Sequence, residues 1–328
     1  ILRILYLPGA RDVLLFEKGQ VFVVAFEARA ESQLINKSLT ELAREFGHLQ
    51  VMVGSILRQS PAAQSGRKVI IPGGKDKILE GDLVYYVATR DALDTLVDLQ
   101  GPRPPRARSI LIAGGGGLSI HLASVLSEAG YTTRILIGDP VKAREASQRL
   151  DKALVIQSYP AELDQLEQIL GEGVDTYIAA CTEDAVNILT AQLARKLGIP
   201  RTVVVTQDPH YLKLIRAVDV DMVLNPFDLA AAYVLRNMHQ VNVLEVNLFA
   251  EEDAEAFEVV TPAKSPLTDK PLKNIKFPRG TLMAMIFRGN EVIIPGGNDK
   301  IQAEDRVIAF AQRGAVPALE RLIKPGRW

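Results

Sequence analysis

A ten-residue phrase occurs twice in this chain, as Val69-Ile-Ile-Pro-Gly-Gly-Lys-Asp-Lys-Ile78 and as Val292-Ile-Ile-Pro-Gly-Gly-Asn-Asp-Lys-Ile301. The echo extends beyond the phrase. Ile56-Leu-Arg58 answers Ile286-Phe-Arg288, Leu39 and Leu42 answer Leu272 and Ile275, and Asp82-Leu-Val84 answers Asp305-Arg-Val307. The offset between matched residues falls from about 230 to about 223, because the first copy carries a longer turn around Ser60–Gly66. A period this long signals a duplicated domain rather than a solenoid of small units. The glycine pairs Gly73-Gly74 and Gly296-Gly297 mark tight turns between strands, and their repetition assigns them to the fold rather than to a ligand.

Each copy reads as a small α+β block. In the first, Val13–Phe16 and Val21–Ala25 are β-rich runs split by the polar turn Glu17–Gln20. Val51–Leu57, Val69–Ile71 and Asp82–Ala88 complete the strands. Ser38 with Glu41 forms the signature of a capping box that opens a short helix, and Asp91–Leu99 reads as a closing helix. The segment Gly101-Pro-Arg-Pro-Pro-Arg-Ala-Arg108 follows. Its prolines exclude helix and stiffen it, so it reads as a solvated linker.

Between the copies the pattern changes. Ile110–Ala113, Thr133–Ile137, Ala153–Ile156, Thr176–Ala180, Thr202–Val205 and Met222–Leu224 are short β runs. Helical patterns at His121–Glu128, Val141–Leu150, Glu162–Leu170 and Asp184–Leu197 separate the first five. Such alternation predicts an α/β, Rossmann-like, doubly wound parallel sheet, here flanked by two small α+β domains. The expected boundaries are 1–103, 104–235 and 236–328. Leu229–Met238 is expected to be a helix leaving the central domain. Val234-Leu-Arg236 within it matches Ile1-Leu-Arg3. The chain, which opens on Ile1 rather than Met, is therefore expected to start at the end of an equivalent helix, with a first Rossmann domain lying upstream.

Net charge is −1, from 38 basic and 39 acidic residues, which argues against a generic nucleic-acid surface. Cys181 is the one cysteine, so no disulfide framework exists and a reducing compartment is expected. No run reaches the ~18 apolar residues of a membrane span. The nearest candidate, Ile110–Leu126, contains four glycines and His121. The start of the sequence does not read as a signal peptide.

Gly114-Gly-Gly-Gly-Leu-Ser119 is the candidate phosphate turn. Glycine at 114 allows the tight turn and glycine at 116 a close backbone approach, while free N–H groups of the following helix face the anion. Expected binding residues are Gly114, Gly115, Gly116, Gly117, Leu118, Asp139, Ser158 and Thr182. The fingerprint's third glycine is replaced by Ser119. At the end of the second strand, where an acid accepts the ribose hydroxyls, stands Ile137, with Asp139 the nearest carboxylate. Two readings stay open. Either phosphate contacts suffice, with Asp139 or Ser158 serving the ribose, or this domain is a scaffold and the upstream domain binds the nucleotide.

No catalytic constellation emerges. Cys181 follows a strand but has no sequence-adjacent histidine to activate it. Glu183 and Asp184 read as the acidic start of a helix. His48, His121, His210 and His239 lack metal-ligand spacing.

In its order of parts the chain resembles the TrkA family of tandem RCK (KTN) proteins, the regulatory subunits of bacterial potassium transporters. Ser265-Pro-Leu-Thr-Asp-Lys-Pro-Leu272 stands where that family turns into a short helix of its C-terminal subdomain. Cys181-Thr-Glu-Asp-Ala-Val-Asn-Ile-Leu189 resembles the acidic loop of its nucleotide-binding subdomain, with Cys181 in place of a threonine. Leu319-Glu-Arg-Leu-Ile-Lys-Pro325 is similar to its C-terminal end. The family's Gly-Asp after the third strand is Ser158-Tyr159 here, so Ile137, Ser158 and Tyr159 make the site look degenerate. The resemblance implies a non-enzymatic gating subunit, cytoplasmic and peripheral on the inner face of the plasma membrane. It implies NAD(H) or ATP/ADP as ligand, a homodimer or homotetramer with Leu229–Met238 as the crossover helix that couples neighbouring subunits, and a membrane partner of the TrkH or TrkG type. The alternatives are an NAD(P)-dependent oxidoreductase, or an RCK module serving a potassium channel or antiporter.

Overall fold

The computed structural model describes the chain except residues 17–18, 62–66, 104–105, 209, 212–214, 216–219, 228–229, 232–233, 235–242, 250–253, 290 and 326–328. Its contacts divide the chain into two compact units, one of residues 1–8 and 104–227, the other of residues 9–103 and 228–328. Most of the expected crossover helix Leu229–Met238 lies outside the described residues.

The chain opens with α1 (Leu2–Tyr6), which belongs to the α/β unit. The first small block follows, with β1 (Ala10–Phe16), β2 (Val21–Glu27), α2 (Leu39–Phe46), β3 (Val51–Gln59), β4 (Arg67–Ile70), β5 (Leu83–Thr89) and α3 (Leu93–Leu99). The second block holds β12 (Val243–Phe249), β13 (Ala254–Val260), β14 (Thr281–Arg288), β15 (Glu291–Ile293), β16 (Arg306–Gln312) and α8 (Val316–Ile323). The two antiparallel sheets have the same strand order, β1-β2-β5-β3-β4 and β12-β13-β16-β14-β15. Even their irregularities repeat. The first strand of each sheet slips register after its first pair, and β3 and β14 each bulge at one residue, Gly54 and Ala284.

The repeated phrase serves a brace that appears twice. Arg58 donates through Nε and Nη2 to the carboxylate of Asp82 at 2.9 and 2.8 Å, and through Nη2 to the Lys77 carbonyl at 2.7 Å. Arg288 does the same to Asp305, at 3.0 and 2.7 Å, and to the Lys300 carbonyl at 2.8 Å. Each buried carboxylate also accepts a backbone N–H, from Leu79 or from Gln302. The aspartate inside the phrase, Asp76 or Asp299, accepts the N–H of its turn glycine at 2.7 Å. The repetition is therefore the wiring of a turn onto a strand.

The blocks differ at one helix. Ser38 caps α2 with the full reciprocal pair, its Oγ accepting from the Glu41 N–H while Glu41 accepts the Ser38 N–H at 2.7 Å. At the matching place in the second block stands only a 3₁₀ turn, Leu272–Asn274. The two sheets share one apolar core. Phe16, Val21, Val23, Leu57, Tyr85 and Val87 from the first pack with Ala256, Ala284, Met285, Phe287, Ile308 and Phe310 from the second.

The α/β unit contains β6 (Ser109–Ala113), α4 (Gly117–Glu128), β7 (Thr132–Ile137), α5 (Pro140–Arg149), β8 (Leu154–Gln157), α6 (Leu163–Gly171), β9 (Thr176–Ala179), α7 (Asp184–Lys196), β10 (Arg201–Val205) and β11 (Met222–Leu224). Its sheet is wholly parallel, in the order β11-β10-β9-β6-β7-β8. The order reverses between β6 and β9, so the crevice beyond their carboxyl ends is the ligand position of a doubly wound sheet. The helix expected from His121 starts at Gly117, because Leu118, Ser119 and Ile120 continue the helical turn out of the glycines.

The linker's ends are tied. Arg103 donates to Asp98 at 2.5 Å and to Asp94 at 3.1 Å, and the Arg108 N–H donates to Asp175 at 2.7 Å. It is anchored at both ends rather than a free spacer.

Candidate functional site

Gly114 ends β6 with φ +138°, a conformation that side chains avoid, and its N–H donates to the Leu136 carbonyl at 2.9 Å. A Cβ there would strike the Ala180 carbonyl. Glycine at 114 is thus demanded by the turn itself. Gly116 is the N-cap of α4, with φ −82° and no side chain capping the helix. A Cβ at Gly116 or Gly117 would meet nothing within 4 Å. The first N–H groups of a 12-residue helix are therefore open to an anion, with the positive end of the helix dipole behind them.

Ser119, in place of the third glycine, is fully buried, and its Oγ donates to the Ala180 carbonyl at 3.0 Å. Helix and strand stay close because the hydroxyl is satisfied where a larger apolar group would clash. Ile137 is buried with its Cγ2 about 2.8 Å from where a Cβ on Gly115 would sit, so it supports the turn from below. It offers a ribose no acceptor.

A cleft of about 250 Å3 opens at this point. Of the expected residues it brings together Gly114, Gly115, Asp139 and Thr182. Gly116, Gly117 and the half-exposed Leu118 lie along the start of α4, outside the cleft lining. Ser158 is not in the lining either. It is buried and donates to Gln165 Oε1 at 2.6 Å. Asp139 caps α5, its Oδ1 accepting the N–H groups of Val141 and Lys142 at 2.8 and 3.1 Å.

Tyr159, Gly138 and Glu183 also line the cleft, in roles the sequence reading missed. The Tyr159 ring lies over Gly138, so close that a Cβ there would overlap it, and it remains 56% exposed. An exposed aromatic face at the rim is a stacking surface, where the sequence showed only a lost acid. No local signal in the sequence places the Tyr159 ring over Gly138. Glu183 is exposed at the N-cap of α7 and caps nothing through its side chain. Among the described residues no lysine or arginine is in the lining, so positive field there comes from helix N-termini, that of α4 beside the glycine turn and that of α7 at Glu183.

The acidic loop works as a clasp. Asn187 is buried, accepts the Cys181 N–H at 2.7 Å, and donates to the carbonyls of Cys181 and Val205 at 2.9 Å. Asp184 accepts Thr206 Oγ1 at 2.8 Å and the Asp208 N–H at 3.0 Å. These residues fix the ends of β9 and β10 beside the cleft. Burial, helped by the negative charge of Glu183, pushes the Cys181 thiol up to about 11. A neutral thiol at physiological pH is a poor nucleophile. Among the described residues no group of three or more potential ligands could hold a metal ion.

Known proteins place this arrangement. The family model of the TrkA-N domain matches residues 110–226, and that of the TrkA-C domain matches residues 256–324. The Trk system potassium uptake protein TrkA of Azorhizobium caulinodans is 26% identical over 326 residues, covering 99% of this chain and 70% of that protein. TrkA homolog 1 of Methanosarcina mazei is 28% identical, covering 98% and 70%. The chain carries a TrkA-N and a TrkA-C domain and is similar over nearly its whole length to Trk system potassium uptake proteins. The solved structure of the GsuK channel bound to NAD shares the fold at a TM-score of 0.51 and 14% identity, covering 98% of this chain and 56% of that one. The α/β unit is the TrkA-N domain of this chain, and the second block its TrkA-C domain. The first block repeats the TrkA-C strand order.

Proposed function

We propose that this chain is the cytosolic regulatory subunit of a potassium uptake system and that it responds to nucleotide through its TrkA-N domain. The observation that carries the nucleotide part is the uncapped start of α4 behind Gly114–Gly117, at the switch point of the sheet. It fits the phosphates of a nucleotide. Tyr159 offers a face for the base, and Asp139 and Glu183 offer the ribose acceptors that Ile137 withholds. NAD(H), ATP and ADP all carry these groups, and the relative GsuK has been solved with NAD.

The expected partner is a membrane subunit of the TrkH or TrkG type, with the chain assembled as a homodimer or homotetramer on the cytoplasmic face of the plasma membrane. In support, the named relatives are Trk system proteins, and no described helix is long and apolar enough to cross a membrane. Nucleotide would act by binding one arrangement of the assembly more tightly than another, since only differential affinity shifts such an equilibrium. The proposal assigns the chain no catalytic step, in keeping with the neutral Cys181 thiol.

A second reading keeps the regulatory role but makes this TrkA-N domain a scaffold. Ile137 packed against Gly115 favours it. Potassium uptake in cells lacking their own Trk regulatory subunit tests the role: expression of this chain should restore uptake through the membrane subunit. Unchanged uptake, with no co-purification of the two, would remove the proposal. Amide exchange at Gly115–Ile120 separates the readings, because a bound phosphate slows it and a scaffold leaves it unaltered.

A further inference from the structure

The shared core of the two small blocks is not symmetric, although the blocks are copies. Gly54 and Ala284 are the matched bulge residues of β3 and β14. Val87 and Phe310 are matched residues of β5 and β16, and both are fully buried. Across the junction, the Phe310 ring presses on the backbone of Gly54. A Cβ at Gly54 would lie 2.5–2.8 Å from three ring carbons. Carbon atoms in contact sit at about 3.5–4.0 Å. The ring cannot yield by small shifts, because it stands in a closed core with Ala256 and Ile308.

The second block carries at Ala284 the very methyl group for which there is no room at Gly54. The first-block residue matched to Phe310 is the smaller Val87, which lies in the same core as Ala284. Size differences of the same kind recur over the faces, with Val21 and Val23 in one block where the other has Ala254 and Ala256.

We propose that Gly54 and Phe310 form a key that makes the pairing of the two blocks heterotypic. The first block accepts the second block of its own chain, and neither accepts another copy of itself. In a pair of second blocks, each Phe310 would meet an Ala284 methyl and be excluded. In a pair of first blocks, each Val87 would face Gly54 and leave a void, which a well-packed core does not tolerate. Chains of this protein therefore associate through surfaces other than these two sheet faces.

The test uses the whole chain. Gly54→Ala should lower the melting temperature by roughly 5–10 °C, and Phe310→Val by a similar amount. The two together should melt above Gly54→Ala alone, because valine, the residue the first block carries at the matching position 87, leaves room for the methyl. If Gly54→Ala fails to fold, the comparison of Phe310→Val with the double variant still decides: alanine at position 54 should then be neutral or stabilising. Additive losses, or a Gly54→Ala chain that melts like the parent, overturn the key. For pairing itself, Leu282→Cys is made with Cys181→Ser, leaving one cysteine beside the shared core. A bismaleimide should join no two chains, and should begin to do so when Phe310→Val is added. Chain-to-chain product with Phe310 intact would show self-pairing and refute the proposal.

Discussion

Replacing Asp82 by alanine removes the acceptor of three hydrogen bonds from a carboxylate that is 1% exposed. Two come from Arg58, at 2.9 and 2.8 Å, and one from the Leu79 N–H at 2.8 Å. Bonds to charged groups are worth about 1.5–3 kcal/mol, and an orphaned buried donor costs about 1–3 kcal/mol. Arg58 keeps its Lys77 carbonyl, and its side chain is a third exposed, so water recovers part of the loss. The expected destabilisation is about 3 kcal/mol, below the upper end for breaking a buried pair. The duplicate supplies an internal control. Asp305, 2% exposed with the same three donors, should cost the same within about 1 kcal/mol when replaced by alanine. Guanidinium denaturation followed by circular dichroism reads both. A loss under ~1 kcal/mol in either variant would place the brace among ordinary surface ion pairs and refute the reasoning.

Three further outcomes follow from individual groups. Burial raises the Asp12 carboxyl to about 6, against the lowering effects of the Val13 N–H and the Tyr85 hydroxyl. A carboxyl raised on folding holds its proton longer in the folded state, so stability falls as pH climbs from about 4 to 6. Asp12→Asn should therefore match the parent near pH 4 and exceed it at pH 7 by on the order of 1–2 kcal/mol, less than full conversion because Asp12 is not wholly enclosed. A variant that is weaker at pH 7 would reverse this sign. Alkylation of Cys181 by iodoacetamide should be slow at pH 7.5 and keep rising past pH 9, as its thiol sits at about 11; a rate that levels off near pH 8.5 would contradict the assignment. Ser38→Ala should cost about 1 kcal/mol through loss of the capping box, measured as a shift in the denaturation midpoint, and no shift would mean α2 is held by packing alone.

Much of the architecture was legible because it rests on local or periodic signals. The ten-residue phrase located both blocks, Ser38 and Glu41 announced α2, and alternating β and helical runs announced the parallel sheet with its glycine turn at the first strand. What stayed hidden depends on contacts across the fold. Tyr159 read as the absence of an acid, since nothing local says its ring lies over Gly138. Ser158 looked like a ribose donor until Gln165 was seen to occupy it. Asp184 read, with Glu183, as a helix start, yet it accepts from Thr206, and Asn187 of the same helix donates to Val205 at the end of the next strand. Gly54 lies unremarked inside the β run Val51–Leu57. Its reason is Phe310, which only the folded pairing of the blocks brings to it.

The central claim is that the turn Gly114–Gly117 holds a nucleotide by its phosphates, and Gly116→Asp tests it most directly. Gly116 has an N-cap conformation and open space around its missing Cβ, so aspartate fits and caps α4. Its carboxylate would then take the helix N–H groups and repel phosphate. Calorimetric titration of the parent with NADH, NAD, ATP and ADP should show binding near the micromolar range, about −8 kcal/mol, for at least one of them. The variant should melt at or above the parent temperature and release no binding heat. No heat from the parent with any of the four, or equal binding by a folded Gly116→Asp chain, would contradict the claim and leave this TrkA-N domain a scaffold.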